Sequence, residues 1–134
     1  MIKPGGPFWK NKDAGAWSIP KGEYTDEEPL AAAKREFLEE TGFAIEGEFK
    51  PLAAITQKSG KVVAAWALEG DVDAAAVKSN DFEMEWPPKS GKRAMYPEVE
   101  RGEWFGFEAA LGKINPAQAA LVRELAAILQ VPLP

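Results

Sequence analysis

The 134-residue chain contains no cysteine and no histidine, and each absence removes a class of chemistry. Without cysteine there is no disulfide, no thiolate nucleophile and no sulfur-ligated metal, so a secreted disulfide scaffold is excluded. Without histidine there is no Ser-His-Asp or Cys-His catalysis, no phosphohistidine and none of the usual zinc sites. Any general base must then be a carboxylate, a lysine, a tyrosine or a metal-bound hydroxide. Long apolar runs are missing too: none approaches the ~20 residues a membrane span needs, and residues 1–6 show no signal-peptide pattern. Basic charge is scarce. Sixteen Lys and Arg face twenty-one Asp and Glu, for a formal charge of −5 and a pI near 4.9, which argues against duplex DNA and other long nucleic acid as partners. A small phosphorylated nucleotide remains compatible, because a divalent cation supplies positive charge locally. The expectation is a soluble, cytoplasmic protein of one domain over residues 1–134, long enough to bury about two-thirds of its unfolded surface.

What is present is concentrated between Lys34 and Phe43. Glu36, Glu39 and Glu40 stand at i, i+3 and i+4, so a helix stacks three carboxylates on one stripe. Like charges at that spacing cost a few tenths of a kcal/mol each, roughly a favourable pair with its sign reversed, so something positive is expected over them. Hard oxygen ligands converging on one point suit Mg²⁺ or Mn²⁺, which keep positions for water and substrate phosphate. The plainer alternative is a solvated acidic face with Arg35 paired to Glu39 at i, i+4.

Along the chain, residues 1–13 read as a loop, with Pro4-Gly5-Gly6-Pro7 followed by Phe8, Trp9, Lys10 and Lys12. Its aromatics and lysines either stack a base and meet phosphates or cap the core. Residues 14–19 read as a short strand ending at Pro20. A helix is expected to begin between Asp26 and Pro29, with Thr25-x-x-Glu28 as a capping box and Pro29 in the first turn. It ends at Gly42, with Leu30, Ala33 and Phe37 on its packing face. Residues 43–49, 52–56 and 62–68 read as strands, the last two joined as a hairpin across residues 57–60. Val62, Ala64, Trp66 and Leu68 make the heavier face, with Trp66 either in the core or lining a base pocket. Residues 82–86 alternate as a half-exposed strand. The loop over residues 87–93 offers Lys89, Lys92 and Arg93 either to phosphate or to solvent. Residues 103–107 are the expected last strand. Asn115, Pro116 and Gln118 then open a helix to Gln130, capped by Asn115 with Gln118 as capping-box partner and with Leu121, Leu125, Ile128 and Leu129 as its core stripe.

Gly22, then Glu28, then Arg35-Glu36-Phe37-Leu38-Glu39-Glu40-Thr41-Gly42-Phe43 resembles the Nudix box of the Nudix hydrolase superfamily, with six residues instead of seven between Glu28 and Arg35. The resemblance covers most of the chain from Gly5 to the last helix and is most specific between Trp17 and Phe43. It implies an α/β fold, an α/β/α sandwich around a mixed β-sheet, and hydrolysis of a nucleoside diphosphate linked to another group. It also implies that Glu36, Glu39, Glu40 and the Gly22 carbonyl hold Mg²⁺ or Mn²⁺, with Arg35 joining the three glutamates in the catalytic set. The run from Trp17 to Gly22 resembles that of members acting on diadenosine polyphosphates and inositol pyrophosphates, which assigns Trp17 and Lys21 to substrate contact. Trp9, Lys92 and Arg93 complete the expected substrate set. Relatives commonly place a further carboxylate after the sheet turns back, for which Glu83, Glu85, Glu98 and Glu100 are candidates. Glu28, or Glu27 in its place, is another. Similar proteins usually carry one or two strands before the glycine-rich loop. Their expected absence here would leave an open edge that a homodimer could complete. Two rival readings are a catalytically silent nucleotide-binding module of the same fold and an interaction domain whose acidic helix meets a basic partner.

Overall fold

Eleven prolines and twelve glycines in 134 residues leave few stretches able to sustain long ladders, and the strands of this α/β chain are accordingly short. The structure, a computed structural model, describes residues 1–22 and 26–133. In order come β1 (Ile2–Pro4), α1 (Pro29–Thr41), β2 (Lys50–Pro51), β3 (Ile55–Thr56), β4 (Val62–Val63) and β5 (Trp66–Ala67). They are followed by β6 (Asp81–Glu85), β7 (Arg93–Pro97), β8 (Val99–Gly102), α2 (Phe107–Lys113) and α3 (Ala119–Ile128). Short 3₁₀ turns lie at Ala74–Ala76 and Pro116–Gln118. The strands pair antiparallel, β1 with β8, β2 with β5, β3 with β4 and β6 with β7. A parallel bridge joins Trp17 to Ile114 and an antiparallel one joins Ile2 to Ser18. No described helix is long and apolar enough to cross a membrane.

The core forms where both ends of the chain meet the segment ahead of α1. Trp17, Ile114 and Gln118 are fully buried, and Ile2, Ala16, Ala32, Leu121 and Ala126 are buried as well. Trp17 anchors this cluster because an indole brings a large apolar area together with one donor that must be satisfied. Its N–H donates to Asp13 at 2.7 Å, its ring meets Phe105 edge-on at 5.0 Å, and the Arg101 guanidinium lies 5.3 Å above it.

Helix α1 starts and stops on local chemistry. The Glu28 carboxylate accepts the Leu30 and Ala31 N–H groups at 3.3 and 3.1 Å, and Pro29 takes the first helical position, where a missing N–H costs nothing. Thr25, the expected partner in a capping box, lies outside the described residues. At the other end Gly42 adopts φ 82° and donates to the Leu38 carbonyl, a left-handed cap that suits glycine. Ala32 and Thr41 are the buried members of the helix, while Leu30, Ala33 and Phe37 are only half-buried.

Several expectations are corrected. Residues 1–13 are not all loop: Ile2–Pro4 forms β1, so a strand does precede the glycine-bearing turn. Ile2 pairs with Gly102 on one side and bridges Ser18 on the other, so the second side of β1 is met at Ile2. Residues 14–19 contribute isolated bridges instead of a strand. Residues 62–68 break into two strands with the opposite parity, Val63 and Ala65 buried and Val62 61% exposed, the inversion that a one-residue change of register produces. Residues 43–49 and 103–107 form no strand: β8 ends at Gly102 and Phe107 already begins α2. Leu129 is exposed because α3 ends at Ile128. The hairpin across residues 57–60, closed by Gly60 at φ 86°, and the strand of residues 82–86, here Asp81–Glu85, are where the sequence predicts them.

Candidate active site

The glutamate stripe of α1 is organised by one cation, Arg35. Its guanidinium grips Glu27 with Nε and Nη2, the shortest contact being 2.6 Å, and places Nη1 at 2.8 Å from Glu36 and 3.2 Å from Glu39. Charge-assisted fork contacts of this kind fix geometry as well as charge. Glu27, then Glu39, raise the Arg35 pKa above its already high value, and Arg35 in turn holds Glu27 below the usual carboxylate range.

Glu40 has no such relief. It is half-buried, and its Oε2 is buried without a hydrogen-bond partner among the described residues. Burial pushes its pKa up to about 8, the charge of Glu36 and more weakly of Glu98 acting in the same direction, while the Lys21 backbone N–H and ammonium oppose them. Gly22 packs directly on Glu36: a Cβ there would meet the carboxylate, which would have to swing aside. The Glu36 side chain is 14% exposed.

Lys21, Gly22, Glu36, Glu40 and Glu98 are thus gathered together, with Glu27, Arg35 and Glu39 alongside. Among the described residues no group of three or more His, Cys, Asp or Glu is placed to hold a metal ion, and Arg35 contacts both Glu36 and Glu39. A divalent cation nevertheless fits Glu40 together with Glu36, whose carboxylate it would share with Arg35. An orphaned, buried carboxylate oxygen beside a second carboxylate is a costly arrangement that a hard cation with oxygen ligands resolves.

The other predicted site residues are dispersed. Trp17 is fully buried and has no ring face for substrate, a correction that follows from its place at the centre of the core. Trp9 stacks edge-on with exposed Phe8 at 5.2 Å, and the Lys12 ammonium sits 3.5 Å over the Phe8 ring. Arg93 is held at 2.7 Å by Glu83 of its own hairpin, and Lys92 is exposed in the same turn. The remaining carboxylates also have local duties. Glu28 caps α1, Glu85 accepts the Lys89 N–H at 2.7 Å, and Glu100 pairs at 2.7 Å with buried Lys3. Glu98, exposed, is the candidate whose charge reaches Glu40.

One residue sequence reasoning misassigned is Gln118. Instead of serving as a capping partner it is fully buried, accepts the Ile19 N–H at 3.0 Å and donates to Ser18 Oγ at 3.0 Å. It thereby ties the entrance of α3 to the residues just ahead of Lys21. The available signal was its spacing: position 118 shares a helical face with Leu121 and Leu125, so its polar group had to find a buried partner. Among known proteins, the family model of the NUDIX domain matches residues 5–125. No curated protein and no solved structure matches the chain.

Proposed function

The chain belongs to the NUDIX domain family, whose members are typically hydrolases acting on pyrophosphate bonds, and from that we propose that it hydrolyses a nucleoside diphosphate linked to another group. Diadenosine polyphosphates are the first candidates. The observation carrying this reading is Gly22 packed on the Glu36 carboxylate beside Glu40, whose buried Oε2 lacks a partner. Glu36 and Glu40, with the Gly22 carbonyl, are the proposed holders of Mg²⁺ or Mn²⁺, which when bound supplies positive charge against the diphosphate and makes a coordinated water more acidic.

The chain's own groups have distinct parts. Arg35, anchored on Glu27, fixes Glu36 and Glu39 by charge-assisted hydrogen bonds, so the stripe is preorganised before substrate arrives. The Lys21 amide ties its loop to Glu40, and its ammonium offsets charge on the transferred phosphoryl group. Glu98, within charge reach of Glu40, is the proposed acceptor of the proton lost by the attacking water. On the same reading the short ladders belong to an α/β/α sandwich, and the protein works in the cytoplasm on small nucleotides.

Incubation with Mg²⁺ and a panel of diadenosine tetraphosphate, a nucleoside triphosphate, ADP-ribose and a dinucleotide cofactor tests the proposal. Mononucleotide products that vanish with chelator are expected from at least one. Affinity without turnover would identify a silent module instead, and no product together with no metal-dependent melting shift would overturn the reading.

A further inference from the structure

Among the described residues Trp104 is the most solvent-accessible of the large apolar side chains, at 64% exposure, yet its ring is not free to turn. The indole N–H donates to the Val72 carbonyl at 3.0 Å, so one ring face is held outward. A large, oriented, exposed aromatic is the kind of apolar surface that marks binding.

Two hollows meet at this ring and share Val72, Ala74 and Trp104. The inner one, about 190 Å³, is lined mainly by apolar groups that include Ile2, Pro20, Phe37 and Val77. The outer one, about 410 Å³, is rimmed by Asp71 and Asp73. Pro20, Phe37 and Thr41 all line the inner hollow, and each is the chain neighbour of a proposed site residue: Lys21, Glu36 and Glu40. Successive helix positions point about 100° apart, so the hollow lies on the flank of α1 next to the one that carries Glu36 and Glu40.

Size and charge narrow the occupant. The inner hollow is smaller than the ~300–1,000 Å³ of pockets that enclose a whole drug-sized ligand, so it takes one flat ring and not an entire nucleotide. Its lining offers little to a sugar or an inositol. The acidic rim repels phosphate and attracts hydrogen-bond donors. We propose that this cleft binds a nucleobase bearing an exocyclic amino group, stacked on Trp104, while the attached diphosphate runs toward Glu36 and Glu40. The assignment of the ligand as a nucleotide rests on the hydrolase reading above, whereas base binding is measurable without it.

The experiment uses the full chain, ¹⁵N-labelled, in EDTA, titrated with adenosine, guanosine, cytidine, inosine and uridine, none of which carries phosphate. The readout is the indole N–H signal of Trp104, assigned with Trp104→Phe. Saturable shifts are expected with at least one of the three amino-bearing nucleosides and several-fold weaker binding for inosine and uridine. Ala74→Leu, which fills the cleft and leaves Trp104 in place, should abolish the shift with the circular dichroism unchanged. For whichever dinucleotide is hydrolysed, Trp104→Ala should raise KM about ten-fold, within the range of one lost base stack, with kcat within about two-fold. No movement of the Trp104 signal with any amino-bearing nucleoside overturns the proposal, as does equal binding of inosine and adenosine. A Trp104 shift in a protein that turns over none of the panel keeps the cleft and removes the hydrolase reading; turnover without the shift does the reverse.

Discussion

Arg35 and Glu40 lie little more than one helical turn apart and face opposite electrostatic situations. Arg35 has Glu27, Glu36 and Glu39 around it; Glu40 has burial, two nearby like charges and an unsatisfied oxygen. Structural ion pairing accounts for the first pattern without any ligand, but not for the second, since a stable scaffold gains nothing from an orphaned buried carboxylate. Glu36→Gln and Glu40→Gln are therefore expected to lower kcat by about 10²–10³-fold, the scale of losing one preorganised electrostatic group, while leaving the circular dichroism intact. Near-normal turnover in both would remove the assignment. Arg35→Lys should separate orientation from stability. Lysine keeps the charge but cannot fork onto Glu27 while also reaching Glu39, and partly exposed pairs of this sort are worth only about 0–1 kcal/mol. The melting temperature is expected to move little and kcat to fall at least about ten-fold; equal effects on both would make Arg35 a purely structural residue.

At the scale of elements, the loop bearing Lys21 and Gly22 is positioned by a residue nearly a hundred positions later. Gln118→Ala removes the acceptor for the Ile19 N–H and the partner of Ser18 Oγ. Leaving such groups unpaired costs about 1–3 kcal/mol, so thermal or urea unfolding should show a loss of that size. The Mn²⁺ affinity of the folded protein, measured by electron paramagnetic resonance, should fall as well, because Gly22 is no longer held on Glu36. Unchanged affinity would confine Gln118 to the core. The same contrast explains what could be read in advance. The caps of α1 at Pro29 and Gly42, the Asn115 and Pro116 entrance to the last helix and the turn at Gly60 depend on residues within a few positions, and all were legible. Strand identity was legible only in part, at the Gly60 hairpin and at Asp81–Glu85. Ile2 becomes a strand residue through Gly102 and Ser18, and the inward choice of Val63 and Ala65 over Val62 and Ala64 depends on partners that period-two alternation alone does not name. In the site, the Arg35 contacts within α1 follow helical spacing, whereas the relation of Glu98 to Glu40 and the burial of Trp17 are tertiary and left no local pattern.

For the molecule as a whole, Glu40 couples the stability of the chain to both protons and divalent metal. Its folded pKa, about 8, stands above the ordinary value of 4.5, so between those limits the folded state binds more protons than the unfolded one. Unfolding free energy therefore falls as pH rises through this window: the Glu40 contribution is complete below about 4.5 and is lost as pH passes 8. Asp13 and Glu27, with depressed values, act the other way and below the window, losing their contribution as pH falls through their folded pKa. The amino terminus, whose pKa is lowered from 8.0 by burial, adds a rise with pH near the upper end, so the bare melting curve of the protein is a sum. The difference between wild type and Glu40→Gln isolates the one group. Without metal, the melting temperature of wild type relative to Glu40→Gln should decline steadily from pH 5 to pH 8.5. With saturating Mg²⁺ or Mn²⁺ the order reverses, because a cation on Glu40 displaces the proton, and the metal-induced rise should be larger at pH 8 than at pH 6 in wild type and weak in the variant. A difference that stays flat with pH, or an equal metal-induced rise in both proteins, would place the cation somewhere other than Glu40 and detach the buried carboxylate from the chemistry.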